Sequence, residues 1–305
     1  MKPYGILRVC RAWRLSRATV QRHKAQMDAV PRISAKRGPK TLLSDDELLT
    51  EIRSVLASNL SVGEGHRKVW ARLRHEHGVR ASMRRVLRIM REHGILAQDR
   101  PTGVRGPDTH DRTITTAKPD EMCAIDATGC LTDEGNAAVF VVVDHWTGEC
   151  LGVRAALRGT RYEAIECIRE AVHLTKGRYE DKIAKGTKLR HDHGSQFISH
   201  AFQDELKTLG IESSPSFVRQ PEGNGSVERF IRTLKEQLLW LQRFRTVEEL
   251  DQALRDFARR FNNHWIIGRI GYRTTAAHRR MLFGEAASTP TSTCRRDWMR
   301  FPVSV

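Results

Sequence analysis

Apolar residues recur every three to four positions through the first hundred residues, then give way to short contiguous apolar runs. Ile6, Val9, Cys10 and Trp13 fall at i, i+3, i+4 and i+7, Leu15-Ser16 breaks the run, and a second short helix opens at Arg17. Three more helices follow by the same period. The first, over 45–58, buries Leu48, Leu49, Ile52, Val55 and Leu56, and Ser44-Asp45-Asp46-Glu47 reads as its capping box. The second, over 67–76, turns Val69, Trp70 and Leu73 inward, and the third, over 82–93, turns in Met83, Val86, Leu87 and Met90. Short helices separated by tight breaks form the helix-turn-helix layout, in which a second helix enters the DNA major groove.

From Pro119 the pattern becomes that of strands. Met122–Thr128, Ala137–Asp144 and Cys150–Ala155 form an antiparallel meander, with His145–Glu149 as a hairpin turn. The near-continuous apolar run at 137–144 suits a central strand covered on both faces. A helix over 160–175 follows, then a strand that ends at Asp192, a helix over 199–209 and a short strand near Ile211. The turn Glu222–Ser226 leads into a last helix for which Ser226 is the expected N-cap. The order β-β-β-α-β-α-β-α is that of an α/β fold, a mixed sheet flanked by helices. Pro, Gly and Lys/Arg concentrate in 31–43, and Pro and Gly in 97–118, so both stretches read as linkers. The division predicted is a helix-turn-helix (1–30), a basic linker (31–43), a second helical DNA-binding domain (44–96), a linker (97–118), an α/β core (119–285) and a C-terminal tail (286–305).

Charge sharpens this division. Residues 1–118 carry 25 Lys/Arg against 11 Asp/Glu, while residues 119–305 carry 27 against 25, so most of the net charge of +16 lies in the N-terminal part. An excess concentrated there points to a polyanion, because neutralising phosphates releases counterions. On the second short helix Arg17 and Arg22 are placed to face DNA. On the helix over 82–93, Arg84, Arg85 and Arg88 occupy the polar face, either as a solvated surface or against phosphates and guanine edges. The six cysteines contain no C-x-x-C pair and sit in apolar or helical surroundings, which suits reduced thiols. No run of eighteen apolar residues occurs and no leader pattern follows Met1, so a soluble cytoplasmic protein with no membrane partner is expected.

Three acids carry the candidate chemistry. Asp126 is read as ending the first strand, Asp192 as ending the fourth, and Glu228 as lying in the first turn of the last helix, with thirty-five residues between it and Asp192. Each alone has an ordinary reading, as a turn cap, a loop hydrogen-bond acceptor or a residue suited to a helix N-terminus. If the first and fourth strands are neighbours, all three converge. Carboxylates without a His or Cys set suit Mg²⁺ or Mn²⁺, and two such ions can activate the attacking oxygen and stabilise the leaving oxygen of a phosphodiester. Four and seven residues beyond Glu228, Arg232 and Lys235 either reach DNA phosphates or pair along their own helix. His191 and His193 flank Asp192 on the opposite side of an extended segment, as supporting residues rather than ligands.

The segments Asp126-Ala127-Thr128, Phe140–Asp144, His191–Phe197 and Gly223–Phe230 with Leu234-Lys235 resemble the DDE transposases of bacterial insertion sequences. Within these they are most similar to the orfB-type proteins of the insertion-sequence-three family, relatives of retroviral integrases. Phe261–Trp265 with Gly271–Thr274, and upstream Gly65–Val69 and Arg85–Met90, extend the likeness over almost the whole chain. Cys123, Gly129 and Thr275 depart from the family's usual Trp, aromatic residue and Pro, and none of them replaces an acid. The resemblance implies an RNase H-like core and catalytic, metal-binding roles for Asp126, Asp192 and Glu228, with Mg²⁺ or Mn²⁺ as a pair of ions. It further implies cleavage and joining of double-stranded DNA at element ends and target, a homo-oligomer on DNA, and a possible partner protein from an upstream reading frame. A DNA-binding regulator without catalysis, and a structure-directed nuclease on the same fold, are the competing readings.

Overall fold

The computed structural model describes residues 5–27, 42–97, 116–216 and 224–284. Most of both expected linkers, the C-terminal tail and the first two residues of the turn Glu222–Ser226 lie outside the described residues. The chain divides into two compact units, 1–44 and 45–305. In the first, α1 (Ile6–Ala12) and α2 (Arg17–Met27) form the expected helix pair, and Arg17 and Arg22 are exposed on α2.

In the second unit, α3 (Asp45–Ser58), α4 (His66–His75) and α5 (Met83–Glu92) enclose a core of Leu48, Ile52, Val55, Val69, Leu73, Val86, Ile89 and Met90. The 3.6-residue period puts these side chains on facing stripes, and Ser82 caps α5 by accepting from the Arg85 N–H.

The sheet has five strands in the order β3-β2-β1-β4-β5: β1 (Met122–Thr132), β2 (Gly135–Asp144), β3 (Cys150–Ala156), β4 (Lys188–His191) and β5 (Glu212–Pro215). The first three pair antiparallel, while β4 runs parallel to both β1 and β5. Parallel pairing requires a crossover, which α6 (Arg161–Lys176) supplies between β3 and β4 and α8 (His200–Leu209) between β4 and β5.

Side-chain alternation separates two apolar layers. Ile125, Phe140, Val142 and Leu189 pack against α6, α8 and the short α7 (Ser195–Ile198). Ala124, Val139, Val141 and Val143 pack against α9 (Gly225–Leu234) and α10 (Val247–His264). Two sequence expectations change here. β1 continues through Thr132, so Asp126 lies inside the strand, because Thr128–Thr132 pair with Gly135–Val139 in a tight hairpin. The helix carrying Glu228 starts at Gly225 with Asn224, not Ser226, at the N-cap position.

Close approach fixes one glycine. A Cβ on Gly152 of β3 would stand 2.5 Å from the Cys167 carbonyl oxygen of α6, so any side chain there forces strand and helix apart.

The helical segment and the sheet belong to one compact unit. Arg72 of α4 bonds Glu64 (2.8 Å), Glu76 (2.7 Å) and the carbonyl of His264 (2.8 Å), at the last turn of α10 where the backbone leaves acceptors open. Lys68 lies 3.1 Å over the Trp265 ring, and Trp70 meets Tyr272 edge to face. A π-helical turn, Lys235–Leu239, continues α9, and its Gln237 exchanges two 2.8 Å hydrogen bonds with the backbone of Val62.

The end of the chain is tied to the sheet by charge. α11 (Thr275–Phe283) follows the short pair β6 (Ile266–Ile267) and β7 (Arg273–Thr274), and its buried Arg279 bonds Glu149 (2.5 Å) and both oxygens of Asp120 (2.6 and 3.1 Å). The five cysteines among the described residues are free and buried, and no described helix is long and apolar enough to cross a membrane.

Two substitutions test this packing. Arg279→Met leaves Glu149, 5 % exposed, without its guanidinium, and lowers stability by about 3 kcal/mol in urea unfolding; an unchanged midpoint would remove the buried pair from the account. Gly152→Ala costs roughly 1–3 kcal/mol by overpacking, read as a lower melting temperature.

Candidate active site

The site follows from the position of β1. Ala124 pairs with Arg190 across the parallel β1–β4 ladder, so two residues further along each strand Asp126 and Asp192 come level. Asp126 shares the α9 face of β1 with Ala124, and α9 crosses that face with Glu228 in its first turn.

Electrostatics report the convergence. Burial pushes Asp126 up to about 6; the Ala127 N–H opposes this, Asp192 and Glu228 both raise it further, and Lys235 draws it down. Desolvation also raises Glu228. The acids interact without forming a closed cage: among the described residues no three His, Cys, Asp or Glu side chains are gathered tightly enough to hold an ion. Like charges repel, and each aspartate turns one oxygen to a local N–H, Asp126 to Ala127 (2.8 Å) and Asp192 to Gly194 (2.8 Å). Two features suit a hard cation. The donors are oxygens throughout, and Asn224, whose Nδ2 donates to the Ile125 carbonyl beside Asp126, has a buried Oδ1 with no hydrogen-bond donor.

The loop after β4 is held from behind. His191 bridges the Asp192 carbonyl (2.7 Å) and the Ser213 hydroxyl (2.9 Å) among Phe197 and Phe202, and burial lowers its pKa; His193 bonds the Ser216 carbonyl. Both act as supports of the loop.

The expected DNA contacts separate into groups. Lys235 lies in the π-helical turn with its charge acting on Asp126, whereas Arg232 pairs with Glu236 at 3.5 Å along its own helix. On α5, Arg85 and Arg88 both bind Asp45, and Arg88 also binds Glu92, so part of the arginine face is engaged within the domain. Arg84 is exposed and makes no ion pair among the described residues. Asn224 escaped sequence reasoning, since Gly-Asn-Gly signals only a turn.

Comparison with known proteins agrees with this architecture. Residues 44–101 match an HTH-like domain, and residues 116–221 and 209–274 match models of the integrase core domain. The transposase for insertion sequence element IS629 of Shigella sonnei is 25% identical over 237 residues, spanning 75% of this chain and 77% of that protein. Transposase InsD for insertion element IS2D of Escherichia coli K12 is 26% identical over 242 residues, 77% of this chain and 78% of that protein. Among solved structures, the HTLV-2 integrase catalytic core domain in complex with magnesium aligns with a TM-score of 0.40 at 20% identity, covering 52% of this chain and 94% of that one. A simian T-cell lymphotropic virus intasome in complex with a PP2A regulatory subunit aligns at 0.42 and 16% identity, covering 84% of this chain and 80% of that one.

The burial of Asp126, reinforced by Asp192 and Glu228, has a pH signature. Its folded pKa lies above the unfolded value of about 4, so the chain loses stability as pH rises from about 4 through about 6, where the folded form gives up the proton it had held more tightly. Asp126→Asn in chelator therefore melts a few degrees above wild type at pH 8 and close to it at pH 4. Parallel melting curves across that range would contradict the raised pKa.

Proposed function

We propose, for a chain that is an insertion-sequence transposase with an HTH-like domain ahead of an integrase core, that Asp126, Asp192 and Glu228 are its catalytic acids and hold its divalent ions. The observation that carries the assignment is that the β1–β4 register sets Asp126 level with Asp192 while α9 crosses the same face with Glu228 in its first turn, so both acids repel a desolvated Asp126. Carboxylates forced together at this cost are suited to a cation. Mg²⁺ or Mn²⁺, as two ions, would supply charge stabilisation at the attacking and leaving oxygens of a phosphodiester.

The chain's own groups position the rest. The Ala127 and Gly194 N–H groups orient the two aspartates, and Asn224 ties the start of α9 to the strand that carries Asp126. Lys235, acting on Asp126 from the same helical run as Glu228, is placed to meet a substrate phosphate. The substrates in this reading are double-stranded element ends and target DNA, cut and joined by a homo-oligomer assembled on DNA, with an upstream-frame protein as a further partner. Arg17, Arg22 and Arg84 contribute backbone contacts, while Arg85 and Arg88 would first have to leave Asp45.

The test is Mn²⁺-dependent nicking and strand transfer on DNA that carries both flanks of the coding region. Asp192→Asn is expected to lose strand transfer by roughly 10³-fold, the scale of removing a principal electrostatic stabiliser, while its DNA binding stays near wild type. Equal activity in variant and wild type would overturn the assignment, and binding without cleavage by either would identify a DNA-binding regulator.

A further inference from the structure

The three acids and Lys235 leave two neighbouring arginines without a role. Arg229 follows Glu228 directly on α9, is exposed, and makes no ion pair among the described residues. Arg269 lies in the turn Gly268–Ile270 that follows β6, and its Nη2 donates to the His145 carbonyl at 3.2 Å. The β2–β3 turn takes a glycine at 148 for its left-handed backbone, φ +77°, and a Cβ there would stand 3.2 Å from that same nitrogen, so the guanidinium lies close against the turn.

Both cations flank the active-site face. His145 donates its N–H to the Met122 carbonyl, which sets Arg269 over the start of β1. Asp126 lies four residues further along that strand, about 13 Å at 3.3 Å per residue. Arg229 and Arg269 are close enough to repel one another, and this repulsion with partial desolvation depresses Arg269. Arg190 brings further positive charge to the same turn, since burial, Arg269 and Arg190 together lower His145.

Several core arginines are answered by acids, Arg169 by Glu205, Arg255 by Glu170 and Asp251, Arg279 by Asp120 and Glu149, whereas Arg229 and Arg269 make no ion pair among the described residues and lie near the three acids. The acid that acts on Arg269 is Asp144, whose carboxylate is fully buried and already accepts from Thr147 twice and from the Asp120 N–H. Two guanidinium groups near enough to act on one another, without an ion-pair partner among the described residues and near the three acids, are suited to an anion. A planar guanidinium matches a phosphate by two parallel N–H donors.

We propose that Arg229 and Arg269 form a clamp on the DNA backbone, gripping a phosphate on the β1-start side of the three acids. It rests on the transposase reading for its ligand. At 3.4 Å per base step, the gripped phosphate lies within about four base pairs of the reacting one. The clamp fixes the strand's path past the acids, while the HTH-like domain binds elsewhere on the DNA.

The experiment measures binding of the full chain to a fluorescent duplex carrying the flanking DNA, in chelator so that nothing is cut. Arg229→Gln and Arg269→Gln are each expected to reduce the slope of log affinity against log salt by about 0.9, and the double variant by about twice that. A neutral methylphosphonate is then moved through the duplex one phosphate at a time. One position is expected to weaken wild type about tenfold or more and to leave the double variant unaffected, the non-additivity that marks a direct contact. Arg269→Lys keeps the charge and loses the fork, so it retains the salt slope while losing most of the effect at that position; it also serves if the glutamine variant unfolds. Equal slopes, or equal losses at every position in wild type and double variant, would overturn the clamp. Cleavage is read separately, by adding Mn²⁺ to the wild-type complex: a wild-type chain that binds in this pattern but does not cut refutes the catalytic assignment and leaves the clamp standing.

Discussion

The parallel ladder between β1 and β4 is the contact on which the site depends. β1 is antiparallel to β2 on one side and parallel to β4 on the other, so it belongs at once to the hairpin meander and to the crossover half of the sheet. That double membership sets Asp126, from the meander, level with Asp192, which leaves the sheet just after β4. A slip of one residue in the ladder would turn one aspartate to the opposite face. The register is held by apolar neighbours on alternate faces, with Leu189 and Ile125 under α6 and α8, and Ala124 under α9. The same layers thus fix the fold and the spacing of the acids.

Burying Asp126 within the strand, with Asp192 and Glu228 near enough to repel it, opposes folding, and burial is the larger part of what raises its pKa. The surrounding structure sustains it with contacts distant from the chemistry. Arg279 joins α11 to Asp120 and Glu149 on the far side of the β2–β3 turn, and Asp144 organises that turn through three hydrogen bonds. Functional sites are commonly strained in this way, with the cost offset by packing elsewhere.

The junction between the helical segment and the core joins recognition to catalysis. Arg72 and Lys68 anchor α4 to the end of α10, while Val62 meets Gln237 in the π-helical turn directly after the helix that carries Glu228. π-Turns inserted in α-helices often mark functional positions, and this one holds Lys235 and touches the HTH-like domain. The basic residues of the helical segment and the acids of the core are therefore parts of one body.

Periodicity gives the helices, the meander and the alternation of strand and helix, because burial stripes and turn residues are local properties of the chain, while the three acids are singled out by residue type, context and resemblance. It placed the end of β1 too early, since Thr128–Thr132 are strand residues only by pairing with β2. It set the N-cap of α9 at Ser226 instead of Asn224, because Gly-Asn-Gly-Ser offers several plausible starts and packing against Ile125 chooses among them. The arginine face of α5 reads from sequence as solvated surface or as a DNA-facing stripe, yet Asp45, forty residues or more away, takes two of its arginines. Residue types and their spacing determined which chemistry the chain can perform. Only the tertiary structure decided which charges act on one another, because Coulomb energy depends on distance in space, and strand order with the crossing of α9, not sequence separation, sets Asp192 and Glu228 near enough to act on Asp126.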